Sequence, residues 1–466
     1  MKNLFLLPGI VMLSLLFQWK SKNAEHQVAP NFIFIITDDQ RWDALGYAGN
    51  PIIRTPEMDL LAREGVYFEK AFVTTPICAS SRASILSGLY ERSHDFTFQK
   101  PPLDSFFMEN SFPVLLKNEG YHTGYYGKFG IKYPNAEALF DQAELYDRNN
   151  NESDKKGYFY KKIDSVDVHL TRYTGNKGRN FIKEASLNKP FCLTLSFSAP
   201  YAHDGAEEQY FWQKKLDTFY SQITVPVPPL SDSLSFSQLP KEVREGFNRT
   251  RWYWRYDTPD KYQKSIKGYY RMISGIDAEI GLLRRTLEEK GIADNTVIVL
   301  IGDNGYFLGE RQLAGKWLMH DNSLRVPLII FDPRVKKHRN ISSDMVLNID
   351  IAPTLLQLAN QKIPRHYQGK SLVPIMKGDS FSEPRDTILV EHLWKFDPIP
   401  SSEGVRTNGW KYFRYRFIDA PEELYDLKND PLETNNLALL PEYQIKLSKF
   451  RKKCDELIQE MSWSTQ

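Results

Sequence analysis

Four short apolar runs punctuate the chain, at residues 32–36, 191–197, 297–301 and 328–331. Runs without polar interruption predict strands buried on both faces, as in a parallel sheet. Helical patterns lie between them. Residues 57–64 follow Thr55-Pro56, a cap and a first-turn proline. Residues 269–290 set Met272, Ile273, Ile276, Ile280, Leu283 and Leu287 along one stripe, and the stripe stops at Gly291. Strand–helix alternation predicts an α/β fold, a large mixed, mostly parallel sheet with helices on both faces. Residues 204–262 are less periodic, rich in proline and aromatics, and read as a long insertion. A composition break falls at residues 377–385. Beyond it, residues 387–391 and 410–415 predict a smaller antiparallel unit, and residues 444–459 a closing helix. The expected organisation is a leader over 1–24, a main domain over 28–380 and a C-terminal subdomain over 385–466.

Lys2 precedes an apolar run ending at Phe17. It is shorter than the roughly 20 residues needed to span a bilayer. Polar residues follow, the order of an export signal. The expectation is an exported bacterial protein, periplasmic or secreted, with no membrane span once the signal is removed. Lys and Arg total 60 against 58 Asp and Glu, so no global field draws the chain to nucleic acid, and anion recognition must be local. Three cysteines exclude a dense disulfide framework and a four-thiolate zinc site. Cys192, inside an apolar run, reads as a small buried hydrophobe, and Cys454 as non-catalytic.

In open α/β sheets, ligands bind beyond the carboxyl ends of the strands. There the first run leads into Thr37-Asp38-Asp39, and the third into Gly302-Asp303-Asn304-Gly305. Three carboxylates and an amide oxygen brought together repel one another unless a cation lies between them. Hard oxygen donors suit Ca2+ or Mg2+, not zinc. A third feature is Cys78-Ala79-Ser80-Ser81-Arg82, continued by Ile85, Leu86 and Leu89 at helical spacing. Cys78 is thereby expected at a helix start, where backbone N–H groups and the dipole favour an anion. Arg82 falls on the same face.

These residues carry a resemblance. Pro76-Ile77-Cys78-Ala79-Ser80-Ser81-Arg82-Ala83-Ser84-Ile85-Leu86-Ser87-Gly88 is similar to the signature Cys/Ser-x-Pro/Ala-x-Arg of the formylglycine-dependent sulfatases, with Ser80 where proline or alanine is usual. The likeness extends to Asp38-Asp39, Gly127-Lys128, Gly302-Asp303-Asn304-Gly305, Gly315-Lys316-Trp317, Arg325-Val326-Pro327 and the stretch from Leu424 to Pro431. It implies the alkaline-phosphatase-like fold and hydrolysis of sulfate esters. It also implies that a maturation enzyme oxidises Cys78 to the aldehyde formylglycine. One hydroxyl of the hydrated aldehyde then attacks sulfur, and the other expels sulfate as the carbonyl reforms. By resemblance, Asp38, Asp39, Asp303, Asn304 and residue 78 bind the cation, Ca2+ ahead of Mg2+. Arg82 holds the aldehyde hydrate, and Lys128 and Lys316 neutralise sulfate oxygens.

The chain departs from that pattern at its histidines. Glycine follows Lys128-Phe129 where many members have histidine, and Ala199-Pro200 leads to Tyr201-Ala202-His203. The acid that protonates the leaving alcohol is therefore left between His203, placed first, Tyr201 and His320. Arg249-Thr250-Arg251-Trp252-Tyr253-Trp254-Arg255-Tyr256 offers aromatics between arginines, either a sugar platform or a packed element. A sulfated sugar or polysaccharide fragment is the expected substrate. Two rivals stay open, a phosphoryl or phosphonate ester hydrolase of the same fold and a non-catalytic glycan-binding relic.

Overall fold

The computed structural model describes residues 29–148, 159–335 and 340–463; the expected leader lies outside them. Eight strands form the main sheet: β1 (Asn31–Thr37), β2 (Val66–Phe72), β3 (His122–Gly127), β4 (Gln142–Leu145), β5 (Phe191–Phe197), β6 (Thr296–Gly302), β7 (Leu328–Phe331) and β8 (Ile341–Leu347). Their order is β8-β2-β7-β6-β1-β5-β3-β4. β1 pairs in parallel with β5 and β6, and β3 with β5 and β4. One expectation is corrected here: β7 is antiparallel to both neighbours, β6 and β2. Its apolar run is buried like the others, so burial alone could not reveal its direction.

The pleat of β1 explains the two cores. Phe32, Phe34 and Ile36 enter one apolar cluster, and Ile33 and Ile35 the other, on alternate faces. The first cluster is covered by α2 (Cys78–Ser87) and α6 (Ile351–Leu358), the second by α1 (Pro56–Glu64), α3 (Leu170–Glu184) and α5 (Pro259–Lys290), with α4 (Phe247–Arg255) lying before α5 in the chain. α5 begins ten residues before the predicted start. The Thr258 side chain accepts from Lys261 N and Pro259 follows it, a capped start whose first turns are mostly polar and bury only Tyr262 and Ile266 as apolar side chains.

The expected antiparallel unit is a four-stranded sheet, β9 (Thr387–His392), β10 (Ser402–Thr407), β11 (Trp410–Tyr415) and β12 (Glu423–Asp426), in that order. α7 (Gln444–Met461) packs on it, burying Cys454. Ile388, Leu389 and Val390 of β9 join the same cluster as Phe32 and Phe34, so one apolar core runs through both sheets. Among the described residues no helix is long and apolar enough to cross a membrane.

Candidate active site

Parallel pairing sets Thr37 opposite Gly302, so the acidic turns after β1 and β6 emerge side by side. Asp303 N donates to Thr37 O at 2.9 Å, and Asp39 N donates to Asp303 Oδ1 at 3.1 Å. Consecutive side chains of an extended strand point apart. Asp39 breaks that alternation with φ of 69°, a left-handed conformation that Asp tolerates better than most residues. Asp38, Asp39, Asp303 and Asn304 are all at most 1 % exposed.

α2 delivers Cys78 as its first residue, where the helix N–H groups are unpaired. One ligand atom each from Asp38, Cys78 and Asp303 lie within 4.8 Å of one another. One turn on, Arg82 faces the same way. Its Nε donates to Asp303 Oδ2 at 2.8 Å, and its Nη1 to Lys128 O at 2.8 Å and Ser196 Oγ at 2.5 Å.

Lys128 arrives through glycine. Gly127, at the end of β3, has φ of 112°, and a Cβ there would fall 2.0 Å from Ser196 O on β5. The turn places Lys128 Nζ 2.6 Å from Asp38 Oδ2. Gly130 has φ of 75°, and a Cβ there would meet Arg82 Cδ at 2.9 Å. The glycine found where many family members have histidine thus takes a left-handed conformation packed against the Arg82 side chain. Lys316 Nζ pairs with Asp39 Oδ1 and lies 3.9 Å from Asp38 Oδ1. Asn248 on α4 fixes that loop, its Nδ2 donating to Lys316 O at 2.9 Å.

The electrostatics follow from this crowding. Burial pushes the Asp38 carboxyl up, but Lys128, Lys316, Arg148 and Arg82 outweigh it and hold it well below the usual carboxylate range. Burial and the Asp38 charge push Asp303 up. Burial opposes the Lys128 charge, and Asp38 more than restores it. Oδ1 of Asp38 and Oδ1 of Asn304 are buried oxygens that accept no hydrogen bond. Unsatisfied acceptors of this kind cost about 1–3 kcal/mol each, and a hard cation satisfies them. Asp38, Asp39, Asp303 and Asn304 therefore fit a divalent ion.

The histidine candidates are placed differently. The Tyr201 ring lies over the site cations, its centroid 5.3 Å from Lys128 Nζ, 5.0 Å from Lys316 Nζ and 3.4 Å from Arg148 Cζ. His203, two residues on, bonds within its loop: its N donates to Gln209 O at 2.7 Å, and its Nδ1 accepts from Gly205 N at 3.0 Å. His320 is fully buried against Phe307, Phe413 and Tyr425. Burial, reinforced by Arg311 and Lys411, holds its pKa well below the ordinary value. The structure thus sets His320 at the junction of the two sheets as a packed core residue, because the chain turns inward after Lys316.

The aromatic–arginine segment is α4 from Arg249 onward, with Tyr256 just past its end. Arg251 and Arg255 turn inward onto Asp204, and the Arg249 guanidinium lies over Phe236, Trp252 and Tyr253. All three arginines are engaged by the protein itself, not presented as a sugar-binding row. Sequence reasoning missed Arg148, Ser196 and Asn248. None belongs to a motif, and only the tertiary fold brings them to the centre.

Residues 30–361 match the sulfatase family, and residues 309–460 match the C-terminal region of N-sulphoglucosamine sulphohydrolase. The chain is 28% identical to an N-acetylglucosamine-6-O-sulfatase of Bacteroides thetaiotaomicron, with 94% of this chain and 87% of that protein covered. A solved structure holding D-glucosamine-2-N,6-O-disulfate as its substrate aligns with a TM-score of 0.76 at 24% identity, covering 93% of this chain and 98% of the other. The phosphonate monoester hydrolase of Agrobacterium radiobacter aligns with a TM-score of 0.76 at 20% identity, covering 93% and 96%. The shared fold does not by itself choose between sulfur and phosphorus chemistry. The sequence match does, since it spans most of the chain and takes in the turns that carry Asp38, Cys78, Lys128, Asp303 and Lys316: the chain belongs to the sulfatase family and is a sulfuric ester hydrolase.

Proposed function

We propose that the chain removes sulfate from a sulfated sugar, with an amino sugar bearing a 6-sulfate as the first candidate, at a centre built on residue 78. The observation that carries this reading is the convergence of Asp38, Cys78 and Asp303 within 4.8 Å, ringed by Arg82, Lys128 and Lys316. The sugar class is supported by relatives that act on or hold glucosamine sulfates. In this reading a maturation enzyme converts Cys78 to formylglycine, which as its hydrate supplies the oxygen nucleophile that a thiol lacks. A divalent cation, Ca2+ before Mg2+, held by Asp38, Asp39, Asp303, Asn304 and residue 78, supplies a fixed positive charge beside that nucleophile.

The remaining work falls to the chain. Arg82, tied to Asp303, Ser196 and the Lys128 carbonyl, holds residue 78 in place. Lys128 and Lys316 set two ammonium groups where sulfate oxygens enter, and burial strengthens both. The Tyr201–His203 loop borders the site. His203, on that loop, is the residue assigned to protonate the departing alcohol. Export, carried by residues 1–24, completes the reading.

The test is sulfate release from glucosamine 6-sulfate by protein whose residue 78 has been shown to be the aldehyde. Release that stops on chelation and returns with Ca2+ supports the reading. Turnover of small aryl sulfates with none of any sulfated saccharide contradicts the sugar assignment. Equal rates on a matched phosphate ester contradict the preference for sulfur.

A further inference from the structure

Arg82, Lys128 and Lys316 are not the only cations at the carboxylates. Arg148 follows the edge strand β4 and reaches back across the sheet end, with Nη1 3.9 Å from Asp38 Oδ2. Its side chain is 10% exposed. Its guanidinium carbon lies over the Tyr201 ring, 3.4 Å from the ring centre, beside the two lysine ammonium groups that approach the same ring. Three cations crowded this closely repel one another, and the negative face of an aromatic ring offsets that repulsion. The segment is also tied to the loop it serves: Ser198, three residues before Tyr201, donates through Oγ to Asp147 at 3.1 Å.

Four cations thus face the carboxylates of Asp38, Asp39 and Asp303. Asp147, which pairs with Arg148 at 3.1 Å, makes a fourth carboxylate, so the four cations are balanced and the charge of a divalent ion held there leaves the positive surplus that matches an entering anion. The choice of arginine is informative. A planar guanidinium stacks on a ring and still presents its edge to an oxyanion, which an ammonium group cannot do. Gly130 cannot carry a side chain without displacing Arg82, so position 130 supplies no donor.

We propose that Arg148, stacked on Tyr201, is a substrate-contacting residue that donates hydrogen bonds to a sulfate oxygen. Tyr201 acts as the positioning residue that fixes its plane. The inference rests on the sulfatase reading given above and adds a substrate contact that the signature motifs do not contain.

The experiment measures binding of inorganic sulfate by calorimetry, and kcat/KM for an aryl sulfate, on the mature Ca2+-loaded protein. R148Q is expected to weaken sulfate binding about tenfold or more and to lower kcat/KM at least as much. Its thermal midpoint and its aldehyde content at residue 78 stay as in the parent. Y201A is expected to lose sulfate affinity in the same direction, with the loss in R148Q/Y201A smaller than the product of the two. R148K carries the test should R148Q fold poorly: it keeps the charge without the planar fork and is expected to recover only part of the affinity. Sulfate affinity and kcat/KM at parental values in R148Q, or in R148K, would overturn the proposal. Sulfate binding that depends on Arg148 in a protein hydrolysing no sulfate ester would instead contradict the sulfatase reading.

Discussion

Lys128 and Lys316 each hold a carboxylate of the proposed cation site, Asp38 for one and Asp39 for the other. Replacing either with Met removes a charge from the sulfate pocket and leaves a buried carboxylate with one partner fewer. K128M and K316M are each expected to lower kcat for an aryl sulfate by roughly 10²–10³, the cost of losing one preorganised charge at a reacting centre. Steady-state kinetics check this, and kcat within threefold of the parent would contradict the role. At this scale much of the site was legible. Asp38, Asp39, Asp303, Asn304, Cys78, Arg82, Lys128 and Lys316 stand in local motifs, and the structure brings all eight together. Arg148 was invisible because its partners, Asp38 and Tyr201, are distant in sequence. His203 and His320 could not be separated by spacing from Lys316 or Pro200, since inward or outward direction is decided by packing.

The back of α2 bears on how the nucleophile helix is held. Ser80, the departure from proline or alanine, lies through Oγ 2.9 Å from Glu91 Oε1 and 3.1 Å from Phe96 O, so that with Glu91 protonated the carboxyl donates to Ser80 and Ser80 to Phe96 O. Glu91 also accepts from Thr75 Oγ1 and Leu393 N, so one buried carboxyl ties α2 to the loop after β9. Burial, with the nearby Glu391 charge, pushes Glu91 up to about 8. Between the ordinary carboxylate value and about 8, the unfolded chain has lost this proton and the folded chain keeps it. Stability from this group therefore falls as pH rises through that window, by up to ~1.4 kcal/mol per pH unit. E91Q is expected to flatten the slope of unfolding free energy from pH 5 to 8, measured by denaturant titration; an unchanged slope would show that Glu91 does not keep the proton. Elements were legible where apolar spacing follows a proline, as in α1 and α2. The start of α5 and the direction of β7 were not, because Tyr262 and Ile266 are isolated among polar residues and a buried run looks the same in either direction.

At the scale of the whole molecule, the C-terminal sheet is locked to the catalytic domain by buried charge. Lys411 on β11 is fully buried and pairs with Asp321 and Glu433, each at 2.5 Å, while Arg406 on β10 grips Asp321 through two nitrogens. Asp321 begins the short helix Asp321–Leu324, five residues beyond Lys316, so the lock bears on the loop that carries that lysine. K411M leaves the buried Glu433 carboxylate without its ion pair, while Asp321 keeps Arg406, and is expected to cost about 3–5 kcal/mol of stability. Chemical denaturation checks it, and a loss below 1 kcal/mol would show that the junction rests on its apolar core alone. The break at residues 377–385 was legible as composition. The continuity of the core across it was not, since which faces meet is a tertiary property. The most direct test of the account is the mass of the peptide containing residue 78, taken from a preparation releasing sulfate from glucosamine 6-sulfate and compared with C78A. The account predicts a peptide about 18 Da lighter than the thiol form, oxygen having replaced sulfur and two hydrogens, and no release by C78A. Full activity with an intact thiol at residue 78, or retained activity in C78A, would contradict it.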